Sequence, residues 1–225
     1  MASKVHIPTR YQGPPDTANG GYVAGLLAAA VGPTATVRLE AAVPLETDLE
    51  LAADGDGVSL RSADGRVAFA LAAEPPALPP APPPRSQAEA TVGPTAAEHA
   101  FPHCFVCGPS AVDGLHITPG PLADPAVVAT TWVPDPGRAG LDVEHLAWAA
   151  LDCPSGLAVM QDGVASVLGT LTGHLRRPLE AGEPVVVVGR LDRIEGRKRF
   201  ASSALYDVDG EPIAWSEAVW IELAR

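Results

Sequence analysis

The fold is decided by residues 19–30, which read Asn-Gly-Gly-Tyr-Val-Ala-Gly-Leu-Leu-Ala-Ala-Ala. Asn19 is a good N-cap residue, and the small apolar side chains after it surround the predicted helix on nearly every side. A second helix is predicted from about Asp142 to Asp152, ending before Pro154. Because both helices are apolar nearly all round, we expect them to be buried within a curved sheet.

The segments that follow the two helices resemble each other. Residues 37–46 and 171–180 both end in Pro-Leu-Glu, and another strand-like run follows each of them. Farther along, an Asp-Gly pair lies between strand-like runs at 64–65 and again at 209–210, which is the strongest short signal for a β-hairpin. One helix followed by several antiparallel strands, repeated once, predicts an α+β fold.

A proline-rich segment separates the two repeats. Closely spaced prolines lack amide donors and favour the extended polyproline II conformation, so residues 75–87 are predicted to form a semi-rigid linker. We therefore predict an N-terminal repeat over residues 1–74 and a C-terminal repeat over residues 88–225.

Composition restricts the classes of function. The chain has 225 residues and a formal net charge of −12, and a surface this acidic does not favour nucleic acid. The N-terminus lacks the apolar region of a signal peptide, and the longest apolar run (22–31) is too short to span a membrane. Three cysteines, an odd number, do not predict a disulfide framework. We expect a soluble cytoplasmic protein.

Three segments carry a resemblance to a known family. Residues 16–24 resemble the Asn-Gly-Gly-Tyr helix start of double-hotdog proteins similar to acyl-CoA thioesterase II. Residues 104–108 (Cys-Phe-Val-Cys-Gly) and 114–117 (Gly-Leu-His-Ile) resemble the start of many single-hotdog thioesterases. The resemblance implies a double hotdog, in which two central helices are wrapped by antiparallel sheet. It also implies hydrolysis of an acyl-CoA or another acyl thioester, no cofactor, and chains that can form homo-oligomers.

The two predicted helices depart from the family pattern in complementary ways. In hotdog thioesterases one helix of a pair provides its N-terminus and the other provides a carboxylate. Residues 20–21 with Asp152 would complete one such site, whereas Ala28 with residues 144–145 would leave the other incomplete. We therefore expect one working site per chain.

The residues of the complete site suggest how a thioester could be hydrolysed. Amide groups near Gly21 and Tyr22 could stabilise the oxyanion, with Gly20 allowing a close approach of the substrate carbonyl. Asp152 would act as a general base on water or attack directly, and both routes remain open. Asn19 could orient the carbonyl or the water, or serve only as the helix N-cap. Thr170, like Ser155 and Thr172, could add a hydrogen bond or be an ordinary strand or turn hydroxyl.

A basic cluster and a cysteine pair have less certain roles. Arg197, Lys198 and Arg199, with further arginines upstream, could bind the phosphates of coenzyme A, or form a solvated hairpin paired with acidic neighbours. Cys104 and Cys107 form one CxxC pair near three histidines (His99, His103, His116), but no second CxxC is present, and we expect no metal.

Two other functions are compatible with this sequence. An acyl-ligand binding protein would keep the fold without the chemistry, and the incomplete second site favours that alternative. A hydratase or dehydratase would need an Asp and a His close together in one loop-helix segment, and the nearest pair, Asp142 and His145, has the wrong spacing.

Overall fold

The computed structural model describes residues 2–79 and 81–224, except for the side chain of Arg138. The helices are α1 (Gly20–Ala28), α2 (Arg85–Glu89), α3 (Pro136–Ala139) and α4 (Val143–Val159), with a short 3-10 helix over Thr9–Tyr11. The strands are β1 (Ser3–His6), β2 (Thr34–Leu39), β3 (Asp48–Asp54), β4 (Gly57–Ser62), β5 (Gly65–Ala72), β6 (Gly120–Pro121), β7 (Val127–Trp132), β8 (Ser166–Leu175), β9 (Val185–Glu195), β10 (Lys198–Tyr206) and β11 (Pro212–Glu222).

Within the described residues, these strands form one antiparallel sheet in the order β1-β3-β4-β5-β2-β8-β11-β10-β9-β7-β6. At its centre, β2 pairs with β8 through residues 34–38 and 170–174. From this pair outward, the strands after α1 run β2-β5-β4-β3, and those after α4 run β8-β11-β10-β9. The two halves therefore have mirrored strand orders, and the predicted α+β class is confirmed.

Both long helices pack against each other and against the strands of their own half. Asn19 and Asp142 cap them as predicted, each accepting a hydrogen bond from a backbone N–H in the first turn. The helices run antiparallel: Gly21 lies against Asp152, and Gly25, one turn later on α1, lies against His145. Glycine at these two positions permits the backbones to approach closely, because a side chain there would collide with α4.

The predicted end of the second helix is wrong. α4 continues through Pro154 to Val159, although proline cannot donate the usual helical hydrogen bond. Ser203 of β10 donates from Oγ to the Leu151 carbonyl oxygen at 2.5 Å, and the side chains after the proline are buried. Tertiary contacts therefore hold a turn that the local sequence disfavours.

The predicted hairpins and linker correspond to clear features. The Asp-Gly pairs at 64–65 and 209–210 lie at the β4–β5 and β10–β11 connections, which confirms both hairpins. The linker runs over the sheet, where Trp215 Nε1 donates to the Pro76 carbonyl oxygen at 2.8 Å. Its last residues belong to α2, and Pro80 lies outside the described residues. None of the described helices is long and apolar enough to span a membrane.

Candidate active site

The carboxylate of Asp152 lies at the N-terminus of the opposite helix. Its Oδ2 atom accepts hydrogen bonds from the Gly21 backbone N–H at 2.8 Å and from Asn19 Nδ2 at 2.9 Å. The first turn of α1 presents the positive end of the helix dipole to this carboxylate. The structure thus joins Asn19, Gly21 and Asp152, which are far apart in the sequence, into one polar cluster.

Burial dominates the electrostatics of Asp152. Its side chain is buried, and burial raises its pKa to about 7, while the hydrogen bonds from Gly21 and Asn19 act in the opposite direction. Its second oxygen, Oδ1, has no hydrogen-bond partner among the described residues. A buried carboxylate oxygen without a partner is costly in free energy, which is typical of a group kept for function rather than stability.

The first three amides of α1 have different roles. Gly21 N–H donates to Asp152, and Tyr22 N–H donates to Asn19 Oδ1 at 2.9 Å. Both amides that we expected to bind the oxyanion are therefore engaged within the protein. The Gly20 N–H has no hydrogen-bond partner among the described residues, as is usual for the first amide of a helix.

The two glycines at the helix start permit close packing. A Cβ atom on Gly20 would lie 2.7 Å from a methyl carbon of Leu168. One on Gly21 would lie 2.5 Å from the Asp152 Cβ atom and 2.9 Å from the Trp148 carbonyl oxygen. The absence of a side chain at Gly21 therefore allows the short hydrogen bond to Asp152.

A small cavity adjoins the cluster. It measures about 30 Å³ and is lined by Asn19, Gly20, Asp152 and apolar side chains that include Leu168 and Trp220. This volume holds one or two water molecules but not an acyl chain. Phe101 and Met160, both partly exposed, also line this cavity.

The predicted hydroxyl groups are not at this cavity. Ser155 Oγ donates to the Asp152 carbonyl oxygen at 2.8 Å and accepts from Trp220 Nε1 at 2.9 Å, so it has a structural role. Thr170 instead lines grooves on the outer face of the sheet. The ladder between β8 and β11 passes over Gly169, and this bulge turns Thr170 away from the face that Leu168 occupies.

The basic cluster divides into buried and exposed members. Arg199 is buried, donates to the Val159 carbonyl oxygen at 2.6 Å, and forms ion pairs with Asp162 and Glu222. That position does not favour contact with a phosphate. Arg197 and Lys198 are exposed, and Arg197 donates to a backbone carbonyl oxygen. Their phosphate contacts remain a prediction.

The opposite end of the helix pair contains a second pocket. Ala28 and the first residues of α4, Glu144 and His145, line a pocket of about 380 Å³. His145 Nε2 donates to the Tyr22 carbonyl oxygen at 2.7 Å, and its ring lies 4.5 Å from the Tyr22 ring. Ala28 lies here at the end of α1, opposite to Gly21 at its start. As expected from the sequence, this end of the helix pair has an alanine where the other end has the carboxylate of Asp152.

Cys153 was not among the residues predicted from the sequence to take part in a site. This residue follows Asp152 on α4, and its Sγ atom lies 3.5 Å from Cys104 Sγ. With Cys107, the two form a buried group of three free thiols whose sulfur atoms all lie within 4.8 Å of one another. The CxxC pair was visible in the sequence, but its third member is brought in only by the packing of α4.

No protein-family model matches this sequence, and no curated protein matches it. Solved structures do match over nearly the whole chain. A candidate thioesterase II of Thermobifida fusca YX has a TM-score of 0.68 at 15% identity, covering 99% of this chain and 92% of its own. An acyl-CoA thioesterase II of Mycobacterium marinum has a TM-score of 0.55 at 14% identity, covering 100% of this chain and 93% of its own.

A protein of unknown function with a hotdog fold from Alicyclobacillus acidocaldarius is similar to the same extent. Its TM-score is 0.67 at 14% identity, with coverage of 100% of this chain and 94% of its own. Identities this low show shared architecture rather than shared chemistry. The chain therefore has the fold of the hotdog proteins that include structures named thioesterase II, as its sequence resemblance implied.

Proposed function

We propose that this chain is a double-hotdog hydrolase of acyl thioesters, such as acyl-CoA, with one site between its halves. The observation that carries the proposal is the buried Asp152 carboxylate, held by Gly21 and Asn19 at the start of α1, with Oδ1 unpartnered beside a water-sized cavity. The mirrored strand orders support two hotdog repeats, and the free thiols are consistent with a reducing cytoplasm.

The chemistry follows from the two oxygens of Asp152. Because Oδ2 is fixed by two donors, Oδ1 is the oxygen that can accept a proton from a water in the cavity. The water oxygen attacks the thioester carbonyl carbon as its proton passes to Asp152. The carbon–sulfur bond then breaks, and the proton passes from Asp152 to the leaving thiolate. Attack by water is favoured over direct attack, because the cavity beside the carboxylate has room for water.

The remaining free amide completes the site. Gly20 N–H lies at the positive end of α1, and Gly20 lines the same cavity, so it can donate to the developing oxyanion. The acyl group does not fit the cavity in its present form. Met160 and Phe101 must move aside to admit the thioester, and the flexible methionine suits that movement.

The test is hydrolysis of acyl-CoAs of increasing chain length, with released coenzyme A measured by chromatography to avoid interference from the protein thiols. We expect Asp152→Asn to lower kcat at least about 100-fold, since it removes the base and keeps the shape. Asp142→Asn is the matched control, because asparagine also caps a helix. Full activity in Asp152→Asn would overturn the assignment.

One observation favours a second candidate function. Two of the three amides at the start of α1 are engaged within the protein, which leaves few donors for an oxyanion and suits a protein that binds acyl ligands without turning them over. Calorimetric titration with a non-hydrolysable acyl-CoA analogue separates the two functions. Tight binding by a wild-type protein that hydrolyses no acyl-CoA would establish the binding function instead.

A further inference from the structure

The three cysteines form a compact buried group from two distant segments. Cys104 and Cys107 belong to the loop before β6, and Cys153 belongs to α4. All three side chains are buried, and all three line the small cavity next to Asp152. Hydrophobic packing alone explains why each thiol is buried. It does not explain why the three sulfur atoms lie within 4.8 Å of one another.

The loop turns tightly at the first cysteine. The Gly108 backbone N–H donates to the Cys104 carbonyl oxygen at 2.8 Å, and the Cys104 N–H donates to the Phe101 carbonyl oxygen at 3.0 Å. A side chain at Gly108 would collide with the backbone of Cys104, so this tight turn requires glycine. The turn thus holds Cys104 and Cys107 in one short loop, with both sulfur atoms within 4.8 Å of Cys153 Sγ.

A side-chain donor faces the other sulfur atoms. Asn19 Nδ2 donates to Asp152 and lies 3.6 Å from both Cys104 Sγ and Cys153 Sγ. Because the amide carries two protons, one can serve the carboxylate while the other faces the two sulfurs. The cluster therefore has a donor beside two of its sulfur atoms, which suits thiolates.

The distances fit one metal ion. Tetrahedral Zn²⁺ with bonds of about 2.3 Å to sulfur separates its sulfur ligands by about 3.8 Å. Here one pair is 3.5 Å apart and all are within 4.8 Å, so small rotamer shifts reach that geometry. We propose that Cys104, Cys107 and Cys153 bind one Zn²⁺ ion, with a water molecule of the adjoining cavity as the fourth ligand. The site shares this cavity with the proposed hydrolysis, but it is inferred from the thiols, so metal binding and hydrolysis are tested separately.

The histidines considered from the sequence are not part of this site. His103 and His116 are exposed, and among the described residues the group of converging ligand atoms contains cysteines only. His103→Ala is therefore a matched control, since it removes a potential metal ligand from the same loop without touching the cluster.

The test measures metal binding directly on the full chain. The purified protein is treated with chelator under reducing conditions, reloaded with Zn²⁺, and examined by native mass spectrometry and elemental analysis. Co²⁺ replaces Zn²⁺ in a parallel sample, where a thiolate-to-cobalt charge-transfer band reports sulfur ligands. We expect one equivalent of metal in wild type and His103→Ala. Cys107→Ser and Cys153→Ser should each lose the metal and the rise in melting temperature that it gives wild type.

The wild-type protein alone can overturn the proposal, even if the serine variants do not fold. Less than one-tenth of an equivalent of Zn²⁺, or a cobalt complex without the sulfur band, would contradict it. A Cys104–Cys153 disulfide that forms from the reduced protein in air as fast with saturating Zn²⁺ as without it would also contradict the proposal, because a bound ion would hold both thiolates. The hydrolysis assay on metal-free wild type tests the proposed function separately.

Discussion

Gly21 of α1 lies so close to Asp152 of α4 that a Cβ atom on the glycine would come within 2.5 Å of the aspartate Cβ atom. Gly21→Ala should therefore separate the two helices. We expect the free energy of unfolding to fall by about 1–3 kcal/mol, as in other overpacked cores. Denaturant titration measures this loss. Gly137→Ala is the control, since its Cβ atom would meet nothing closer than 3.5 Å, and equal destabilisation of both variants would refute the packing argument.

Asn19 caps α1 and, under the proposed function, also has a site role, and two substitutions can separate these roles. Asn19→Ala loses the cap and should lower stability by about 0.5–2 kcal/mol. Asn19→Ser keeps a cap but has no amide to donate to Asp152, so it should remain near wild-type stability with lower kcat. Comparing unfolding curves with hydrolysis rates checks this. An Asn19→Ser enzyme with unchanged kcat would leave Asn19 with capping alone.

Arg199 should affect stability rather than substrate affinity. Arg199→Met leaves the Val159 carbonyl oxygen and the carboxylates of Asp162 and Glu222 without their partner. We expect the free energy of unfolding to fall by about 1–3 kcal/mol. The loss is no larger because Asp162 is half exposed and solvent screens its charge. Lys198→Ala should change stability by no more than about 0.5 kcal/mol. If Lys198 binds a phosphate, that variant raises KM for acyl-CoA. A raised KM in Arg199→Met at full stability would reverse these roles.

His145 should make stability depend on pH. Burial lowers its pKa below the usual 6.5, although Asp142 and the Tyr22 carbonyl oxygen oppose the shift. Below about pH 6.5, His145 therefore binds a proton more readily in the unfolded chain than in the folded protein. The free energy of unfolding consequently falls as the pH falls. His145→Gln, which can still donate to Tyr22, should remove up to about 1.4 kcal/mol per pH unit of that dependence. Denaturant unfolding of both proteins at about pH 5.5 and about pH 7.5, on either side of the usual histidine pKa, measures this dependence. If His145→Gln loses as much unfolding free energy as wild type between these two pH values, the assignment is contradicted.

The sequence predicts those features of the fold whose contacts join residues close together in the chain. The caps Asn19 and Asp142 and both Asp-Gly hairpins follow from neighbouring residues, and the structure confirms them. The pairing of Asp152 with the start of α1 could be anticipated only through the family resemblance, because more than a hundred residues separate the partners.

Features set by tertiary packing could not be predicted. The extension of α4 past Pro154 accompanies burial of the side chains that follow the proline, and no local pattern indicates that burial. The position of Thr170 depends on a bulge at Gly169 that no periodic pattern indicates. Cys153 looked like an isolated residue, since its neighbours in space come from a loop about fifty positions earlier in the chain.

The central pairing of β2 with β8 joins the two halves of this one polypeptide in a single sheet. In a symmetric dimer of identical chains, every substitution is imposed twice, on both ends of the helix pair. A single chain with two mirrored halves has no such constraint, because each half is encoded separately. One end of the helix pair here carries Asp152, while the other carries Ala28 beside a pocket of a different shape. Selection can therefore act on the two ends independently.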